Sequence, residues 1–454
     1  MSPQRSDLSR IFKAYDIRGV HPDDLDEDVA RRVGSAFAEW VNARAVLLGR
    51  DCRLSSPALA AAFESGVTAR GVDVVDLGLI ATDLLYFASG KLDLPGAVIT
   101  ASHNPARYNG IKLCRAGAGP VGEDTGLRDI KELAERDEFG SGRGATPGRV
   151  TQRDMLEQYV EHVLSFVDAD ALAPVTVVAD TANGMGGLVV PAVFERLPVK
   201  LVTLYPELDG TFPNHPADPI DPENQKDLKR EVRERGADLG MAFDGDADRV
   251  FFVDENAEGI SGSLITALVA RSMLEKHPGS KVVHNLICSW TVPEVIRENG
   301  GEPIRTRVGH SFIKQVMAET GAVFGGEHSG HYYFRDHYRA DSGLIAGLVV
   351  LEEMSKAGKP LSELLEPFLR YHASGEINSE VIDQQATIEK LARAFSEGKQ
   401  DRLDGLTVEY EDWWFNARPS NTEPLLRLNV EATTTELLEE KTAEVLSVIR
   451  EEAP

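Results

Sequence analysis

The chain is short of cysteine, of positive charge and of long apolar runs, and each shortage removes a class of protein. Cys52, Cys114 and Cys288 are its three cysteines in 454 residues, odd in number and widely spaced. That pattern excludes a disulfide framework and a cysteine-rich zinc site, and it fits a reducing compartment. Lys and Arg number 48 against 73 Asp and Glu, for a formal charge of −25. Such a field argues against nucleic acid or an anionic membrane as a general partner. An anionic substrate would need a local basic patch to draw it in. No apolar stretch is long enough to span a bilayer, and residues 1–7 lack the apolar core of a signal peptide. The expectation is a cytoplasmic, water-soluble protein.

What remains is ordinary globular composition, 42% hydrophobic and 27% charged, with length for about three domains. Short apolar strands alternate with amphipathic stretches of helical length. Strand 45–48 precedes a helix over 57–71, with further strands at 74–75 and 97–99. The pattern restarts at 175–179, with a helix after Gly187 and strands at 200–203 and 239–243. It returns at 281–283, with a helix over 292–299 and a strand at 323–324. Alternation of this kind implies mostly parallel sheets covered by helices. The expected domains are 1–150, 151–255 and 256–370, the first junction marked by the Gly/Pro-dense 140–148. Residues 371–454 differ, with strands at 406–410, 413–415 and 425–430 and a closing helix over 435–450. The predicted fold class is α/β: three mixed, mostly parallel α/β-sandwich domains plus a smaller C-terminal α+β domain.

Asp244-Gly-Asp246-Ala-Asp248-Arg249 is the most informative stretch. It lies between two apolar runs, 239–243 and 250–253, so it reads as a loop between strands. Three carboxylates at alternate positions suit a hard cation such as Mg²⁺, which leaves coordination positions open for phosphate. Arg249 beside them makes sense if a phosphate oxygen is held next to the metal. An EF-hand would use Asp244, Asp246, Asp248 and Glu255 at loop positions 1, 3, 5 and 12, but Arg249 stands where that turn needs glycine. A solvated acidic turn is the other bland alternative.

Three more loops carry polar clusters. Thr100-Ala-Ser102-His103-Asn104-Pro105 follows strand 97–99, at the carboxyl end where α/β sheets place ligand groups. Ser102, exposed there, reads as a nucleophile or phosphate carrier, or as an ordinary cap in a strand-to-helix turn. Lys112 downstream offers a general acid or a phosphate clamp. Gly326-Glu327-His328-Ser329-Gly330-His331 offers Glu327 and Ser329 to sugar hydroxyls and His331 as a proton carrier; a Gly-rich turn is the plain alternative. Arg418-Pro419-Ser420-Asn421-Thr422 packs donors that suit a phosphate dianion, or forms a bland turn. Thr181-Ala-Asn-Gly184-Met-Gly186-Gly187 lacks nucleotide-binding spacing and reads as tight strand-to-helix packing.

Taken in order with Lys13-Ala-Tyr15-Asp-Ile-Arg18-Gly19, these loops resemble the α-D-phosphohexomutase family, and within it the bacterial phosphomannomutase/phosphoglucomutase branch, across essentially the whole chain. The resemblance implies four domains around a central cleft, each contributing one loop. It implies that Ser102 is a phosphoserine and that Asp244, Asp246 and Asp248 hold Mg²⁺ together with its phosphate. Glu327 and Ser329 would contact sugar hydroxyls, and Arg418, Ser420, Asn421 and Thr422 would hold the phosphate that is not reacting. Tyr15, Arg18, Lys112, Arg249, His310 and His331 match cleft positions, with Lys112 and His331 the acid/base candidates and His103 beside the carrier. A hexose phosphate is the implied substrate, a hexose 1,6-bisphosphate the intermediate and activator, and a monomer or homodimer the expected state. One departure stands out. The cleft lysine that some relatives carry in the segment aligned with 284–289 is missing; either Arg305 or Arg307 compensates, or the sugar phosphate sits differently. Gly-Glu-His-Ser-Gly-His resembles the mannose/glucose branch, with mannose phosphate favoured. The rival from another class is a haloacid-dehalogenase-like phosphatase with Asp244 as nucleophile, which leaves Ser102 and the other loops idle; a non-catalytic sugar-phosphate binder is the third reading.

Overall fold

The computed structural model describes residues 7–136, 146–420 and 425–451. Among them the strands form four sheets, one for each stretch of chain. In the first, strand Ala45–Arg50 runs parallel to Asp73–Leu79 on one side and to Gly96–Ile99 on the other. Tyr108–Arg115 and then Ile17–Val20 close one edge antiparallel, and Val150–Gln152 joins the other edge. The central strands are near-continuous apolar runs, as strands buried on both faces must be. In the second sheet Leu239–Phe243 is central, parallel to Thr176–Asp180 and antiparallel to Val250–Val253. In the third, Lys281–Asn285 lies between Glu302–Thr306 and Phe324–Gly326, both parallel to it. Each of these three sheets therefore has a parallel core and an antiparallel margin. The fourth sheet is wholly antiparallel and ends in the helix Thr435–Arg450. The first sheet takes in Val150–Gln152 and the second Gly259–Ile260, a few residues beyond the expected junctions.

One apolar cluster runs without a break through the first three domains, from Leu47 and Leu84 through Val177 and Phe243 to Phe324 and Leu348. The fourth domain has its own, built from Leu391, Phe415, Leu428 and Val445. Its attachment is more polar: Arg305 Nη1 meets Asp401 at 2.7 Å, and the Trp290 backbone N–H and the Trp414 indole both donate to Glu431. A continuous core favours a fixed body and a polar interface favours relative motion. No helix among the described residues is long and apolar enough to cross a membrane.

The helix Thr82–Leu92 is amphipathic only weakly, because it is buried on most sides. It carries Asp83, fully buried, which accepts from the Tyr159 hydroxyl and from Ser342 Oγ at 2.7 Å. Ser342 caps the long helix Gly343–Ala357 of the third domain, so one carboxyl ties three segments distant in sequence. Burial pushes the Asp83 carboxyl up to about 7, against the pull of its two hydroxyl donors. The folded state then binds the proton more tightly than the unfolded chain, so stability falls as pH rises from about 4 to about 7. Asp83→Asn should remove that slope. Urea midpoints at pH 5 and pH 8 should differ more for the wild type than for the variant; equal differences would mean that Asp83 is already ionised in the fold.

Candidate active site

The Ser102 loop owes its shape to an arginine. Arg53 is almost wholly buried and spends its donors on the loop: Nη2 reaches the carbonyls of Ser102 and Asn104, Nη1 those of Pro105 and Tyr108, and Nε the Asp51 carboxylate at 3.1 Å. No lysine could serve so many acceptors. The clamp holds Ser102 at φ 50°, left-handed backbone that a side chain rarely adopts. Its amide donates to Thr100 Oγ1, and its Oγ donates to Asp244 Oδ2 at 2.6 Å. Ser102 is buried, at 3% exposure, rather than exposed as expected. The reason is the second domain, whose Gly245 lies so close that a Cβ there would sit 2.4 Å from the Ser102 carbonyl oxygen.

The carboxylate loop fills that contact. Lys112 Nζ bridges Asp246 Oδ2 at 2.7 Å and Asp248 Oδ2 at 2.6 Å. Thr82 Oγ1 donates to Asp246 at 2.6 Å, and Arg249 donates to Asp244 through Nε at 3.1 Å. The geometry of Asp244, Asp246 and Asp248 fits a hard divalent cation. Their ligand oxygens converge within 4.8 Å, and Asp246 Oδ1 and Asp248 Oδ1 are buried without a hydrogen-bond partner among the described residues. Arg249 Nη2 is likewise buried and unpartnered, a donor suited to an anion beside such a cation. Neither the EF-hand nor the solvated turn survives: the loop joins two paired strands and all three carboxylates are buried.

Burial pushes the Asp244 carboxyl up to about 7, opposed chiefly by Arg249. For Lys112 burial works against the charge, but Asp246 and Asp248 outweigh it and hold the ammonium well above its ordinary value. Burial, and then Arg249, holds His103 well below the ordinary imidazole value, so it is neutral; its Nδ1 lies 3.4 Å from Ser102 Oγ. His310 is held down by burial and then Lys314. His331 goes the other way, because Asp248 and Asp341 outweigh its burial.

The third domain's loop is tied to the carboxylate loop by backbone pairing of Arg249 with His331. Glu327 accepts from Ser329 Oγ at 2.7 Å and from the Gly309 amide at 3.3 Å. Tyr15 meets His310 edge-on at 4.8 Å, and His310 lies 6.5 Å from His331. Arg18 is held between Asp16 and Asn104. The structure thus gathers Ser102, Lys112, Asp244, Asp246, Asp248, Arg249 and His331 through direct contacts, with Tyr15, Arg18, His310 and Glu327 around them. Arg418 stands on the fourth domain, bonded to Glu376 at 3.0 Å, with its Nε buried and unpartnered among the described residues. Ser420 follows the strand Trp413–Pro419 that carries Arg418, and its amide donates to the Leu425 carbonyl. Asn421 and Thr422 fall outside the described residues.

One expectation is corrected. Arg305 does not replace the missing lysine, because Asp401 and Thr407 hold its guanidinium. Arg307 is exposed, with its guanidinium 4.3 Å from the Phe312 ring. The Thr181–Gly187 stretch does pack tightly, with Met185 donating its amide to the Gly245 carbonyl at 2.9 Å. Sequence reasoning missed Arg53, Thr82, Lys314, Asp341 and Glu376. Arg53 had a usable signal, since Asp51-Cys-Arg53 follows a parallel strand; the others sit in no motif.

Sequence models of four phosphoglucomutase/phosphomannomutase domains match the chain: α/β/α domain I over 9–141, II over 157–259, III over 261–371 and the C-terminal domain over 376–448. The chain is 42% identical over 448 residues to a phosphomannomutase of Salmonella montevideo, covering 96% of this chain and 98% of that one. It is 41% identical over 450 residues to a phosphomannomutase of Escherichia coli K12, covering 97% and 99%. A Xanthomonas campestris protein named phosphohexose mutases is 42% identical over 444 residues, covering 97% and 99%. A crystal structure of a phosphoglucomutase/phosphomannomutase family protein from Burkholderia thailandensis superimposes with a TM-score of 0.89 at 35% identity, covering 99% of both chains. Four domain matches in order and full-length identity above 40% leave one assignment: the chain belongs to the phosphoglucomutase/phosphomannomutase family, the α-D-phosphohexomutases.

Proposed function

We propose that this chain interconverts mannose 1-phosphate and mannose 6-phosphate through a phosphorylated Ser102 and a hexose 1,6-bisphosphate that also activates the resting enzyme. The observation that carries this is Ser102 Oγ seated on Asp244 inside a shell of Asp246, Asp248, Lys112 and Arg249. The names of its relatives favour mannose. Glucose phosphate is the second substrate, favoured by the relative named for hexose phosphates in general. A phosphatase using Asp244 as nucleophile is disfavoured, since Ser102 and Arg249 already occupy its Oδ2.

In this reading the first domain carries the phosphoserine, the second the metal, the third the sugar contacts and the fourth the distal phosphate. Asp244, Asp246, Asp248 and the Ser102 phosphate would hold Mg²⁺, which neutralises phosphoryl charge. Arg249 Nη2 binds a phosphoryl oxygen, and Arg18 adds a second cation. The hydroxyl of the bound sugar bonds to phosphorus while the P–Oγ bond breaks. His331 accepts the hydroxyl's proton, and Lys112, kept cationic by its carboxylates, protonates Ser102 Oγ. Glu327 and Ser329 orient the sugar, and Arg418, Ser420, Asn421 and Thr422 grip the idle phosphate. Turning the sugar end for end lets the same loops return the other phosphate to Ser102. A cytoplasmic location belongs to this reading and is supported by three free thiols.

Phosphorus NMR with Mg²⁺, a trace of hexose 1,6-bisphosphate and mannose 1-phosphate competing with glucose 1-phosphate tests the whole. Mannose 6-phosphate should build up faster than glucose 6-phosphate; release of inorganic phosphate would instead establish a hydrolase. Ser102→Ala should abolish turnover at a stability cost of about 1 kcal/mol, and transfer of labelled phosphate from a bisphosphate to this variant would refute Ser102 as carrier. Arg418→Ala should raise KM roughly ten- to 150-fold, for a charged contact worth about 1.5–3 kcal/mol. An unchanged KM would remove Arg418 from the distal anchor.

A further inference from the structure

His331 is not a lone imidazole. Its Nδ1 lies 2.7 Å from Asp341 Oδ2, and the other oxygen of that carboxylate lies 2.7 Å from Lys314 Nζ. The side chains of Asp341 and Lys314 are each 2% exposed, while that of His331 keeps 15%. The sheet explains the meeting. Asp341 pairs with Tyr333 across antiparallel strands, and His331 stands two residues before Tyr333, on the same face. The His331 ring stacks on Tyr333 at 6.0 Å and 27°. Lys314 arrives from the helix His310–Thr320, one turn after His310. Its ammonium also sits 3.7 Å from the centroid of Tyr86, on the first domain's helix Thr82–Leu92.

A buried carboxylate and ammonium are a costly pair to desolvate, and nothing in the continuous core requires one here. Burial opposes the charge on Asp341, but Lys314 first and His331 next hold its carboxyl well below the usual range. Asp341 is therefore a permanent acceptor. The ligand atoms of Asp248, His331 and Asp341 also lie within 4.8 Å of one another. A cation among them is disfavoured, because Lys314 already neutralises Asp341.

We propose that Asp341, clamped by Lys314, is a positioning residue for His331: by accepting from Nδ1 it fixes the ring so that Nε2 alone is presented to the sugar hydroxyl. Nε2 has no hydrogen-bond partner among the described residues, which leaves it open to substrate. This rests on the reading above that His331 takes the hydroxyl's proton. In that step the O–H bond breaks, its proton goes to Nε2, and its electron pair forms the new O–P bond. An imidazole free to rotate or to carry its proton on Nε2 could not accept it. Lys314 serves the same end at one remove, keeping Asp341 ionised and tethering it to the first domain through Tyr86.

The experiment is a double-mutant cycle on the full-length, Mg²⁺-loaded enzyme, with ring ¹⁵N NMR of the wild type. Asp341→Asn should lower kcat roughly 10²-fold or more and leave KM for the hexose phosphate within about twofold, since the phosphate anchors are untouched. Adding Asp341→Asn to His331→Ala should lower activity no further, because the two residues act as a unit. Recorded at a pH above the His331 titration, the wild-type spectrum should show the neutral ring with its proton on Nδ1 and none on Nε2. A wild-type kcat for Asp341→Asn, or a full additional loss in the double variant, overturns the proposal. If His331→Ala itself keeps its activity, the proton-acceptor reading fails instead. Should Asp341→Asn not fold, the spectrum decides: a proton on Nε2 and none on Nδ1 rules out the positioning role.

Discussion

Three buried carboxylates within a few ångströms of one another set the terms for the rest of this structure. Asp244, Asp246 and Asp248 are each at most 1% exposed, and such a group tolerates ionisation only with positive charge at hand. Arg249 supplies some from within the loop. The remainder comes from another domain, as Lys112 on the strand Tyr108–Arg115. Docking of the first domain on the second is therefore an electrostatic requirement as well as an apolar one. The same docking places Ser102 Oγ on Asp244. The Ser102 hydroxyl and the three carboxylates are brought together by one interaction.

The helix Thr82–Leu92 extends that requirement to the third domain. Thr82 donates to Asp246 at its start, Asp83 accepts from Ser342, and Tyr86 lies under the Lys314 ammonium. The first turn of one helix thus touches the carboxylate loop, the cap of the helix Gly343–Ala357 and the Lys314–Asp341 pair behind His331. Rigid secondary structure holds reacting groups more closely than loops can. The strained backbone at Ser102 is consistent with this, because left-handed geometry persists only where neighbours over-determine it; here Arg53 does so.

The fourth domain follows a different rule. Its core is separate, and ion pairs and hydrogen bonds join it to the third. Arg418 is steadied by Glu376, which also pairs with Arg427 at 3.0 Å. Under the proposed function, an anchor for a phosphate on either end of a sugar would gain from such an attachment. A separate core and a polar attachment would let it approach and withdraw without disturbing the carboxylate centre.

Much of the molecule was legible in the sequence because its signals are local. Apolar runs of strand length marked Ala45–Arg50, Thr176–Asp180 and Leu239–Phe243, and Asp-x-Asp-x-Asp marked a cation site, since each depends on residues adjacent in the chain. The helices Thr82–Leu92 and Gly343–Ala357 were not marked, because they are apolar on most sides and lack an amphipathic period. Arg305 was misplaced for a related reason: it stands on the edge strand Glu302–Thr306, in no loop motif, and that edge meets the fourth domain. Sequence by itself determined the fold class, the family and which loops gather polar side chains. Tertiary structure alone decided which loop neutralises which, that Ser102 is buried, and that Asp341 stands behind His331. Those facts depend on distances between residues far apart in the chain, and only the packing of four sheets sets them.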